Sequence, residues 1–299
     1  MRKLILSFIS IIMIICLVTS HVSASNDMFD ISEAMRKTTF AAEARKTYMN
    51  VVTRGMGVPG TVEEVDAIIQ QYSFAETTAE KERIIINMDT MGLFIYCDRN
   101  ANAPHTVSNG NDVQINYPII VYNAFEDSWI VSVSGYWLNS NFANDSFSGN
   151  IGDADAFGFG FTNIGNTYTS SVLRSSAKMW SQETLNGYSY TISTTSRHDG
   201  NGALGCGYRL QDRIEASSLL TTYYRGYRWY GSSTYDSNFA NYSAIATAYY
   251  THTYEQVAIE SISFGVSGES AGVSVEFSTE MVGFTVYSGG DAVTPGYPS

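Results

Sequence analysis

From about residue 93 onward the chain alternates, and that alternation is what most limits its fold. Segments 113–122, 129–138, 188–195, 219–230, 242–254, 257–266 and 273–277 repeat Tyr, Val, Ile, Ser and Thr at period two, the spacing that sends successive side chains to opposite faces of a strand. Turn sequences separate them: Asn109-Gly110-Asn111-Asp112, Asp199-Gly200-Asn201-Gly202 and Ser288-Gly289-Gly290. Many short strands with no helices between them predict a mainly-β fold, an antiparallel, jelly-roll-like β-sandwich over residues 93–299. The Ser- and Thr-rich positions predict a sheet with one wet face.

Residues 25–92 read differently. Between Asp27 and Arg99 the chain has 20 charged residues in 73 positions, against 24 in the 200 that follow. Asp30-Ile31-Ser32-Glu33, Thr61-Val62-Glu63-Glu64 and Thr77-Thr78-Ala79-Glu80 have the form of capping boxes or an Asp variant of one. Val62, Val65, Ile68 and Ile69 share a helical face. Three helices are expected, over 30–54, 62–72 and 78–90, as a small N-terminal region that is a candidate pro-segment.

Residues 1–24 have the form of a secretory signal peptide. Arg2 and Lys3 precede an apolar run, and Val22-Ser23-Ala24 supplies small residues for cleavage. The expected location is therefore secreted, extracellular. The formal net charge of −12 becomes −14 once Arg2 and Lys3 leave. Such an acidic chain lacks the basic footprint that neutralises phosphates, so a nucleic-acid partner is not expected. No later segment is apolar for long enough to span a membrane as a helix. Beyond the signal, Cys97 and Cys206 remain. In an oxidising compartment a bridge between them is expected, worth roughly 4–5 kcal/mol for so long a loop.

Several motifs invite chemistry. Gly268-Glu269-Ser270-Ala271-Gly272 matches the G-x-S-x-G elbow of hydrolases. It lies between two alternating segments, however, and no histidine follows Ser270, so it reads as a hairpin turn. Asp153 and Asp155, in Gly152-Asp153-Ala154-Asp155-Ala156-Phe157-Gly158, are half of a calcium loop without its closing glutamate. They are the metal candidates, and calcium is the one cofactor the sequence suggests. His105, His198 and His252 lack metal-ligand spacing, and His252 is expected as a half-buried strand residue. Tyr223, Arg225, Tyr227 and Trp229, on one face of a strand over 219–230, are the ligand-binding candidates, because aromatics interleaved with arginine can stack on sugars or a protein partner. Ser140-Asn141-Phe142-Ala143-Asn144 recurs as Ser237-Asn238-Phe239-Ala240-Asn241, a short echo fitting two strand ends.

Gly152–Phe161, Thr194–Arg213 and Ile245–Val275 resemble stretches of uncharacterised secreted proteins of Gram-positive bacteria. The resemblance implies secretion and a β-rich fold and brings no activity. The first expectation is a non-catalytic protein binding a cell surface, a polysaccharide or a protein. A secreted hydrolase acting on glycans or cell wall is the alternative, though its carboxylate pair is not readable from one sequence. A pore-forming protein is the third, through a hairpin over 257–277 with Ile262, Phe264, Val273 and Val275 on its apolar side.

Overall fold

The computed structural model describes residues 29–53, 57–98, 112–143, 148–165, 171–185, 188–216, 222–254, 258–266, 272–278, 283–288 and 292–297. The signal sequence, the Asn109–Asn111 turn, the side chains of the Asp30 box and most of the Gly268–Gly272 loop lie outside them. Residues Lys37–Tyr297 form one compact unit. The other unit, Met1–Arg36 with Pro298 and Ser299, is described only in the first turns of a helix.

Among the described residues three helices come first: α1 (Phe29–Thr53), α2 (Val62–Ser73) and α3 (Thr78–Met91). Thr61 and Thr77 each accept from the backbone three residues on, while Glu64 and Glu80 reach back to the cap, so both capping boxes form. Gly92, at φ 79°, takes the left-handed step that ends α3. The strands follow in chain order as β1 (Leu93–Asp98), β2 (Val113–Ile115), β3 (Ile119–Asn123), β4 (Ser128–Trp137), β5 (Gly149–Asn150) and β6 (Asp155–Thr162). Next are β7 (Val172–Leu185), β8 (Tyr188–Thr194), β9 (Gly205–Leu210), β10 (Arg213–Ala216), β11 (Thr222–Tyr224) and β12 (Arg228–Tyr235). Last are β13 (Ile245–Thr253), β14 (Ile259–Phe264), β15 (Val273–Phe277), β16 (Gly283–Tyr287) and β17 (Ala292–Val293).

Among the described residues all strand pairings are antiparallel. The largest sheet runs β1-β3-β4-β12-β7-β8, with β2 on β4. A second runs β16-β13-β6-β9, with β17 on β13; β11-β10-β5 and the β14-β15 hairpin make two small ones. Among the described residues no sheet closes into a barrel.

One core joins the two large sheets. Trp129, Val131, Val133 and Trp137 of β4 meet Phe157, Phe159 and Phe161 of β6 and Ala246, Ala248 and Tyr250 of β13, each set at the period-two spacing of one strand face. The opposite face of the larger sheet carries Val121, Ile130 and Tyr230, which pack under Val65, Ile69, Tyr72 and Met88 of the helices. The opposite face of the second sheet carries Ala156 and Tyr249, covered by Ile259 and Val273 of the hairpin, with Ile262, Phe264, Val275 and Phe277 against them. Both large sheets are therefore dressed on their outer faces.

That dressing corrects the expected wet face. Ser132, Ser134, Ser232 and Ser233 are buried. Ser132, Ser134 and Ser232 lie on the face under the helices, where Ser176 Oγ and Ser232 Oγ donate to Asp66 of α2 at 2.7 and 2.8 Å, while Ser233 faces the inter-sheet core, 2.7 Å from Tyr208 Oη of β9. Ser233 and Ser175 pair at 2.9 Å, and Asn116 donates to Ser134 at 2.9 Å. Serine is tolerated on a dry face because neighbours answer the hydroxyls of Ser134, Ser232 and Ser233. Only Ser132 of the four lacks a partner. The echo also has a structure: Asn141–Ala143 and Ser237–Asn241 both form 3₁₀ turns, soon after β4 and β12. Phe142 stacks on Tyr224 at 3.8 Å and Phe239 on Tyr235 at 4.6 Å.

Candidate functional site

The expected bridge is not formed: Cys97 and Cys206 are not joined to each other. Cys97 is on β1 of the larger sheet, whereas Cys206 is on β9 of the second, its sulfur 3.4 Å from Tyr235 Oη in the core. The expected aromatic strand is also interrupted. The chain turns at Arg225–Tyr227, between β11 and β12, so the four candidates do not share a face. Tyr223 is buried, and Trp229 lies in the core with its ring stacked on Tyr250 at 3.9 Å. Arg225 and Tyr227 keep partial exposure, Arg225 pairing with Glu215 at 2.7 Å.

Asp153 and Asp155 diverge as well. Asp153 is exposed just before β6, and its carbonyl accepts from Thr253 Oγ1 at 2.8 Å. Gly152 permits this approach: at φ 53°, a Cβ there would stand 2.5 Å from Thr253 Oγ1. Asp155, the first residue of β6, is fully buried.

Asp155 joins two residues that sequence spacing did not connect to it, Asp212 and His252. Register explains the meeting. Asp155 lies opposite Leu210, the last residue of β9, and Asp212 follows two residues later. His252 sits near the end of β13, just past the Thr251–Ala156 pair. Three neighbouring strands thus deliver three ionisable side chains to the same end of one sheet.

All three are at zero exposure. His252 Nδ1 is 2.9 Å from Asp155 Oδ1, 3.1 Å from Asp155 Oδ2 and 3.7 Å from Asp212 Oδ2. Tyr250 donates to Asp155 Oδ2 at 2.6 Å, and the Thr253 N–H to Oδ1 at 3.2 Å. Tyr224 donates to Asp212 Oδ2 at 2.8 Å, and Gln211 Nε2 to Oδ1 at 3.4 Å. Trp137 Nε1 in turn donates to Tyr250 Oη at 3.2 Å. Aromatic rings wall the imidazole, with Tyr254 edge-to-face at 4.5 Å and Trp137 at 4.9 Å. Its other nitrogen, Nε2, is buried without a partner.

Two carboxylates in a dry site repel each other's charge. Burial, and then the charge of Asp155, push the Asp212 carboxyl well above the usual carboxylate range. Burial likewise raises the Tyr224 and Tyr250 phenols, with Asp212 and Asp155 respectively adding to it, so both remain protonated donors. Gly226 allows the close fit beside them: a Cβ there would lie 2.5 Å from Tyr224 Oη and 2.9 Å from Asp212 Cβ.

No family model, curated protein or solved structure matches the chain. Its chemistry is read from these residues alone. They include acids, a base and phenol donors, all sealed from solvent. The sequence singles out neither Asp212 nor any partner for it, and it gives His252 only as a half-buried strand residue, whereas the structure buries it completely. The separation of 97 positions between Asp155 and His252 carries no signal that either end could show.

Proposed function

We propose that this is a secreted β-sandwich protein, jelly-roll-like in plan, that works by binding a cell-surface, polysaccharide or protein partner and not by turnover. One observation carries the reading. The constellation of titratable groups best suited to acid–base work, Asp155, Asp212 and His252, has zero exposure, and a general base must reach the proton it takes. Side chains of this kind, held by Tyr224 and Tyr250 behind Trp137, support a rigid scaffold.

Secretion is supported by the form of residues 1–24. Of the sequence-derived binding set, Arg225 and Tyr227 are the members with solvent access, at the turn between β11 and β12. The test is co-sedimentation of the protein, purified without residues 1–24, with insoluble polysaccharides, cell-wall preparations and whole cells. Saturable binding lost in Tyr227→Ala with the fold intact supports the reading and locates the surface. Release of new reducing ends or wall fragments would overturn it in favour of a hydrolase.

A further inference from the structure

We propose that Asp155, Asp212 and His252 bind one divalent transition-metal ion of the Zn²⁺ class, clasping the ends of β6, β9 and β13. Each side chain offers one donor atom, and the three donors lie within 4.8 Å of one another. Ligands about 2.0–2.2 Å from a zinc ion stand roughly 3–4 Å apart. The spacings of 2.9 and 3.7 Å from His252 Nδ1 to the two carboxylates are of that size.

Charge argues the same way. Among the described residues, His252 is the one cation-capable side chain in ion-pair range of either carboxylate, so two buried acids share one imidazole. A dication supplies the missing positive charge. The surroundings are those of a ligand set held in place: Tyr250 and the Thr253 N–H fix Asp155, and Tyr224 and Gln211 fix Asp212.

The independent sign is His252 itself. It is wholly buried, and its hydrogen bonding is left incomplete at Nε2. A neutral imidazole that coordinates through Nδ1 carries its proton on Nε2, within the cage of Tyr254 and Trp137 rings, where an aromatic face can accept a weak N–H contact. The alternative places the proton on Nδ1 and leaves a bare nitrogen lone pair in a dry aromatic cage. An imidazole ligand selects against calcium, which prefers oxygen alone. The metal candidate of the sequence thus keeps Asp155, replaces Asp153 with Asp212 and His252, and changes the ion.

The test is metal content. Protein produced in zinc-supplemented medium and dialysed against metal-free buffer is expected to retain about one zinc per chain by elemental analysis. Asp212→Asn and His252→Gln, checked for fold by near-ultraviolet circular dichroism, are expected to lose it, and excess Ca²⁺ is expected not to displace it. X-ray absorption at the zinc edge of the unaltered protein needs no variant. It should show a shell of oxygen with one imidazole nitrogen. A metal-free protein, a shell lacking imidazole, or full zinc content in both folded variants would overturn the site.

Discussion

Two carboxylate networks lie buried at opposite sides of the larger sheet's surroundings, and they are built on different arithmetic. Asp66 is a single acid. It accepts from Ser176 and Ser232, and Lys178 Nζ stands 3.6 Å away. Asp155 and Asp212 are two acids around one imidazole, with phenols as their other side-chain donors apart from Gln211. The first is closed by groups the chain itself supplies, and it glues α2 to the sheet. The second leaves His252 Nε2 without a partner and sets two carboxylates around one imidazole. That surplus of carboxylate over cation is what the proposed ion site rests on.

Removing one acid from each network separates the two. Asp155→Ala takes the acceptor from Tyr250, Thr253 and His252 at once. It is expected to cost about 3–5 kcal/mol in urea unfolding, the scale for breaking a buried charged pair. Asp66→Ala is expected to cost less, about 1–3 kcal/mol, because Ser176 and Ser232 still reach each other at 3.2 Å. Equal losses would erase the distinction between them.

A fourth acid sharpens the comparison. Burial lifts Asp89, near the end of α3, from 3.8 to about 7, and the negative end of a helix also disfavours its charge. A carboxyl with a folded pKa above its unfolded one binds more protons when folded between those values. Stability therefore falls as pH rises through about 4 to 7 and stays low above it. Asp89→Asn is expected to stabilise the protein by about 1–2 kcal/mol at pH 8 and hardly at all at pH 4. The same gain at both pH values would mean that packing, not charge, is responsible.

Much of the fold was legible because it is local. Thr61 with Glu64, and Thr77 with Glu80, announce helix starts within four residues, and both boxes form. The alternation of β4 and β13 places their strands within a few residues of expectation. β6 was obscured by its glycines. Phe157, Phe159 and Phe161 point into the core while Gly158 and Gly160 fill the other face, and a Cβ at Gly158 would meet Cys206 O at 2.0 Å. That spacing resembles a loop when only turn residues are counted. Trp229 looked like a surface ring because alternation does not say which faces are covered, and here both are. The cluster of Asp155, Asp212 and His252 depends on strand register across β6, β9 and β13, a long-range property that no local window contains.

The most direct measurement is the melting temperature of the unaltered protein and of Asp66→Asn before and after exhaustive chelation, with zinc then restored. The account predicts a fall of several degrees on chelation in both proteins and recovery with Zn²⁺, since the Asp66 network takes no part in holding the ion. Melting that is indifferent to chelator and to added zinc in the unaltered protein would contradict it.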